Sequence, residues 1–164
     1  METKCMPVKK QQPPNTPSHL EAHIGFWLRL VSNQVSARFQ AAVQVQADCS
    51  VTEWVALRVL FDKPATGHGE LIAALGMTKG ATSKIISRLE ARGLVKRLFA
   101  AGSSREQLIA LTAAGRQLVP RLAALADEND RHFFAALSPA EQAGLTAALK
   151  KLVALHQLSG PPIN

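Results

Sequence analysis

The stretch from Gly69 to Gly93, GELIAALGMTKGATSKIISRLEARG, decides the fold. Its first part, Gly69–Leu75, reads as a short apolar helix stopped by Gly76. A three-residue turn, Gly76-Met77-Thr78, leads into a second helix over Lys79–Arg92, with Thr78 as its cap and Gly93 as its stop. Two helices across a tight, glycine-containing turn make a helix-turn-helix. On the second helix Thr82, Ile85, Ile86 and Leu89 recur at i, i+3, i+4 and i+7, which predicts the buried face. Gly80, Ser83, Lys84, Ser87 and Arg88 fall on the opposite side. That outward face is small, hydroxylated and basic, so it can enter a major groove and donate to phosphates and guanine edges. Its first turn, with Lys79 and no acid, leaves the positive end of the helix dipole free for a phosphate.

Beyond Gly93 the period changes from helical to alternating. Leu94–Ala100 and Gln107–Thr112 read as two strands joined by the small polar loop Ala101–Arg105, a β-hairpin following the helix-turn-helix. Upstream and downstream the chain is helical. Ser18-His-Leu-Glu21, Ser50-Val-Thr-Glu53 and Ser138-Pro-Ala-Glu141 each fit the S-x-x-E capping box and predict helix starts. The first helix is expected over His19–Gln46, roughly 28 residues and about 42 Å long, with an apolar stripe from Leu20 through Ile24, Trp27, Leu28, Val31 and Val35. The second is expected over Thr52–Asp62, before the turn Lys63–Gly67. After the hairpin comes a helix over Ala113–Leu137, kinked or broken near Pro120, and a last helix over Pro139–His156. The fold class is therefore mainly α with a small β-hairpin wing, a winged helix-turn-helix flanked by N- and C-terminal helices. The apolar stripes of those flanking helices call for a second copy of the chain as their partner. The expected organisation is a disordered tail over 1–17, a helical dimerisation region from 18–49 and 113–158, a DNA-binding domain over 50–112 and a C-terminal tail over 159–164.

Charge placement agrees. Of the net charge of +7, six units fall within residues 79–105, where Lys79, Lys84, Arg88, Arg92, Lys96, Arg97 and Arg105 face the single acid Glu90. A basic segment on an otherwise balanced chain points to a polyanionic partner. The longest run without a charge, Leu152–Asn164, is too short for a transmembrane helix, and the N-terminus lacks the apolar core of a secretory signal. With two cysteines, Cys5 and Cys49, the chain reads as cytoplasmic.

Glu70-Leu-Ile-Ala-Ala-Leu-Gly76, Thr78, Ile86-Ser-Arg-Leu-Glu-Ala-Arg-Gly-Leu-Val-Lys-Arg97, Leu111-Thr-Ala-Ala-Gly115 and the Ser138-Pro-Ala-Glu141 helix start together resemble the MarR family of bacterial winged-helix regulators. The resemblance spans about residues 19–157 in element order and is densest over 69–115. It implies a homodimer held by the first and last helices, bound to a pseudo-palindromic double-stranded operator. It also implies repression of a nearby gene, relieved by a small aromatic or phenolic ligand or by oxidation. Carried onto this chain, it assigns DNA contact to Thr78, Lys79, Gly80, Ser83, Lys84, Ser87, Arg88 and Arg97, with Arg105 in a minor groove. Where the family's wing commonly has Asp-x-Arg, this chain has Ser103-Ser104-Arg105, which keeps the arginine and loses the charge that orients it. Gly67 likewise stands where the family often caps the first helix of the pair with Ser or Thr.

Other constellations are weaker. His23, Phe26, Trp27, Trp54 and Arg58 are candidates for a pocket in which an arginine beside indoles takes a carboxylate. His19 and His23 have a zinc-compatible spacing, yet beyond Glu21 and Cys49 no further ligand is well placed, and no metal or cofactor is expected. Cys49 adjoins Asp48, an acid that disfavours a reactive thiolate, so redox sensing is a secondary reading. A winged helix used for protein interaction, with DNA binding lost, is another. No nucleophile elbow, phosphate loop or paired carboxylates mark an enzyme.

Overall fold

In the computed structural model, which describes residues 17–99 and 107–158, two of the three capping boxes form. Ser50 Oγ accepts from the Glu53 amide (3.1 Å) while Glu53 Oε2 accepts from the Ser50 amide (2.8 Å), starting helix α2, Val51–Phe61. The same reciprocal pair at Ser138 and Glu141 starts the final helix, Pro139–Leu155. Hydrogen bonds from the Ser138 side chain and then its backbone hold the Glu141 carboxyl below the ordinary carboxylate range. The first box does not form. Ser18 Oγ meets His23 Nε2 instead (3.0 Å), and a 3₁₀ turn over Leu20–Ala22 runs into extended backbone at His23. The Trp27 indole N–H takes the Glu21 carbonyl (2.9 Å). Helix α1 therefore begins five residues later than the sequence suggests, at Ile24, and runs to Ala47. The chain divides into two units, residues 1–33 and 34–164.

Strand β1 (Thr66–Gly67), helix α3 (His68–Leu75) and helix α4 (Lys79–Ala91) follow α2. Gly67 precedes α3 without a side-chain cap. Gly76 closes α3 in the left-handed region (φ 61°), and Thr78 Oγ1 accepts from the Ala81 amide (3.3 Å) to open α4. Gly93, at φ 69°, turns the chain out of α4 into strand β2, Val95–Phe99. Strand β3, Gln107–Leu111, pairs antiparallel with β2 from Val95↔Leu111 to Phe99↔Gln107. The hairpin is as expected, within a residue at each outer end. The sheet has a third strand, however: β1, which sequence marks only as turn, pairs with β3 through Thr66↔Ile109 and Gly67↔Leu108. The order is β1-β3-β2, so β3 is central. Two residues carry no alternation to detect.

Helix α5 runs unbroken over Ala113–Phe133 with Pro120 inside it, so no break occurs there, and it stops short of Leu137. Val119 and Leu122, either side of that proline, are buried in the core with Leu57 and Leu60 of α2 and Ile86 and Leu89 of α4. That burial offsets the hydrogen bond that Pro120 cannot donate. The last helix is α6, Pro139–Leu155, and none of its residues is buried.

Two junctions fix the core. At the first, the Thr112 amide donates to the Leu94 carbonyl (3.0 Å) and its hydroxyl to the Gly93 carbonyl (2.6 Å), while Thr112 Oγ1 accepts from the Gly115 amide (3.1 Å). The start of α5 is thereby laid against the start of β2, and a Cβ on Gly115 would overlap the Leu94 carbonyl. At the second, the Arg92 guanidinium donates to the carbonyls of Ala47 and Asp48 (2.8 Å to Asp48) and to Cys49 Sγ (3.3 Å). It satisfies carbonyls that the end of α1 leaves open.

Gly115→Ala is expected to cost about 1–3 kcal/mol in thermal unfolding, because backbone must move to admit the methyl group. Gly144→Ala, a helix position with open space around it, should leave the melting temperature unchanged or raise it. Arg92→Ala is expected to cost about 1–3 kcal/mol by the same measurement; an unchanged melting temperature would show that the Arg92 contacts do not hold α1 to α4.

Candidate nucleic-acid interface

Helix α4 presents the two faces that its periodicity predicts. Thr82, Ile85, Ile86 and Leu89 are buried; Thr78, Lys79, Gly80, Lys84, Ser87 and Arg88 are exposed. Ser83 is half-buried, its hydroxyl 3.2 Å from His68 Nε2 on α3. Nothing stands within 4 Å of where a Gly80 Cβ would be, so packing within the chain does not demand glycine there.

The basic residues of this region separate into two groups. Lys79, Lys84 and Lys96 have no carboxylate within 4 Å among the described residues. Arg88, Arg92 and Arg97 are engaged. Arg97 on β2 lies 3.5 Å from Glu90 and donates to Ser87 Oγ (2.9 Å), tying the wing to α4. Arg88 Nε lies 3.3 Å from Glu53 Oε1, and an Arg92 amino group 4.0 Å from Glu53 Oε2. Ser87, Arg88 and Arg97, which the sequence offers as free donors, thus already have partners in the chain. Arg105, Ser103 and Cys5 lie outside the described residues.

Glu53, Arg92, His68 and Asn129 were not legible as site residues. Glu53 announces itself only as a capping residue, and Glu141 in the same motif is exposed, whereas Glu53 is 1% exposed. Charge alone gave no signal of that burial.

The residues expected to form one pocket fall in both units, Trp54 and Arg58 in the 34–164 unit. His23, Phe26 and Trp27 fall in the 1–33 unit, where Phe26 and Trp27 pack edge to face at 5.1 Å and His23 and Phe26 line a shallow hollow. In the 34–164 unit, Trp54 lines a hollow of about 250 Å³ with Val35, Phe39, Val51, Val55 and Asn129. Arg58 does not point to it: its guanidinium pairs with Asp62 (2.7 Å) and lies 5.8 Å from the Phe61 ring centre. The polar residues of the hollow are Ser36, Asn129 and Asp130, and Asn129 is 4% exposed. Its amide nitrogen donates to the Val35 carbonyl (3.3 Å) and its oxygen has no partner. Cys49 is completely buried beneath Arg92. No helix among the described residues is long and apolar enough to cross a membrane.

Known proteins share this architecture. The MarR family model matches residues 49–106. The transcriptional regulator HosA of Escherichia coli O157:H7 is 29% identical over 126 residues, covering 77% of this chain and 91% of HosA. A crystal structure of a probable transcriptional regulator from Pseudomonas aeruginosa is 30% identical with a TM-score of 0.70, over 82% of this chain and 99% of that one. The Bordetella bronchiseptica protein BpsR, whose DNA binding is regulated by 6-hydroxynicotinic acid, is 26% identical with a TM-score of 0.71, over 84% and 97%. With the capped helix pair, the outward basic face of α4 and the β2–β3 wing in place, this chain belongs to the MarR family of winged-helix, DNA-binding transcriptional regulators.

Proposed function

We propose that the chain is a homodimeric repressor that binds a pseudo-palindromic operator and is released by a small aromatic acid or phenol. The observation that carries this is the outward face of α4, where Lys79 and Lys84 are exposed without carboxylate partners among the described residues, beside the open space at Gly80. Thr78, Lys79, Gly80, Ser83, Lys84, Ser87 and Arg88 form the major-groove contact, Arg97 braces the wing, and Arg105 reaches the minor groove. Residues 50–112 are the DNA-binding domain. Half-sites then lie about one helical turn apart, roughly 34–36 Å.

Dimerisation through residues 18–49 and 113–158 is supported by the apolar surface a single chain leaves uncovered. Leu145, Leu149, Leu152 and Val153 on α6 are each 37–46% exposed, and Leu20 and Ile24 more so. Such surfaces are costly in water and mark interaction sites. The effector reading is supported by the Trp54 hollow and, by analogy, by the regulation of BpsR. Its buried polar anchor is the oxygen of Asn129, unpartnered among the described residues, which accepts a hydrogen bond from a ligand hydroxyl; Ser36 and Asp130 line the same hollow, and Arg58 does not. Burial of Cys49 leaves the redox reading without an accessible thiol among the described residues.

Fluorescence anisotropy on DNA from upstream of the gene, against a scrambled duplex and across salt concentrations, tests the reading. Specific binding that weakens steeply with salt is expected. Lys84→Ala should weaken both duplexes alike and lower the slope of log affinity against log salt by about 0.9. Equal, salt-insensitive binding to both duplexes would sink the assignment. For the dimer, sedimentation should give twice the mass of one chain, and Leu152→Glu should yield a folded monomer that no longer holds the operator.

A further inference from the structure

Glu53 sits at the N-terminus of α2, yet its charge is answered from α4. A carboxylate removed from water needs compensation for both oxygens. Oε2 has the Ser50 amide (2.8 Å) and hydroxyl (3.2 Å). Oε1 has no aligned hydrogen bond, and its nearest cation is Arg88 Nε at 3.3 Å. Arg92, 4.0 Å from Oε2, is occupied with the carbonyls of Ala47 and Asp48. The Arg88 side chain remains 70% exposed on the face of α4 that looks away from the core. Its inner nitrogen faces the Glu53 carboxylate as an ion pair, and its outer amino groups are the fork that pairs with guanine O6 and N7.

We propose that Glu53 is a positioning residue for sequence discrimination: it anchors Arg88 so that the guanidinium is presented to a base edge instead of collapsing onto the nearest phosphate. This rests on the assignment of α4 as the recognition helix. An ion pair between two exposed groups would hold little. Here one partner is 1% exposed and fixed by its own capping bonds, so the arginine is tethered to a rigid point. Specificity is then set in part from α2, on a residue that itself touches no DNA.

The test uses the full chain and a duplex selected from a random pool by the wild-type protein, against a scrambled duplex, by anisotropy across salt. Glu53→Gln removes the charge and keeps a capping-box residue. It is expected to reduce the preference for the selected duplex about tenfold or more, corresponding to roughly 1.4 kcal/mol or more, while binding to the scrambled duplex is kept or strengthened. Its salt slope should steepen by about 0.9, one added phosphate contact. The double variant Glu53→Gln/Arg88→Ala should discriminate no worse than Arg88→Ala alone. Arg88→Lys, which keeps the charge without the fork, should lose discrimination with Glu53 intact, and it decides the matter if Glu53→Gln does not melt cooperatively. An unchanged preference and slope in Glu53→Gln, losses that multiply in the double variant, or full discrimination by Arg88→Lys would each overturn the proposal. If the wild-type protein selects no duplex at all, the DNA-recognition assignment itself fails, and the proposal with it.

Discussion

Burial of Thr82, Ile85, Ile86 and Leu89 leaves α4 one face to show, and the rest of the winged helix is arranged to keep that helix where it is. The three large apolar residues among those four, Ile85, Ile86 and Leu89, contribute on the order of 1.5–3 kcal/mol each, enough to fix the rotation of a helix about its own axis. Once the rotation is fixed, Gly80, Lys84, Ser87 and Arg88 must face outward. The wing is placed by the same logic. Gly93 reverses the chain out of α4, Arg97 reaches back to Glu90 and Ser87, and the Thr112–Gly115 turn seats α5 directly on Leu94.

Electrostatics divides the basic segment between two tasks. Three of its arginines secure the fold: Arg92 closes the end of α1, Arg97 ties β2 to α4, and Arg88 faces the buried Glu53. The lysines at 79, 84 and 96 extend from the surface without carboxylate partners among the described residues. The division follows side-chain chemistry. A planar guanidinium can satisfy several fixed oxygens at once, as Arg92 does, whereas a hydrated ammonium on a flexible stem serves as a mobile point charge.

The helices outside this core have a different balance. The α6 face and the N-terminal stripe stay open, although they carry some of the largest apolar side chains in the chain. The Trp54 hollow adjoins the part of α1 that continues from those N-terminal residues. A ligand in that hollow would meet α1, α2 and α5 together, and of these α2 packs on α4.

Amino-acid order alone determined the order of the α-helices and the β2–β3 hairpin, the faces of α4, the Thr78, Ser50 and Ser138 caps and the Gly76 and Gly93 stops. All of these depend on residues within a turn or two of one another. The same local rules misread Ser18–Glu21, because His23 engages the Ser18 hydroxyl that a capping box requires. Tertiary structure decided the rest. It paired Thr66 with Ile109, carried the Asn129 amide to the Val35 carbonyl, and brought Arg92 back to Asp48. Above all, it buried Glu53 while leaving Glu141 in water, although both stand at the fourth position of a capping box. A cap is defined by its neighbours in the chain, but burial is defined by whatever distant segment comes to lie over it.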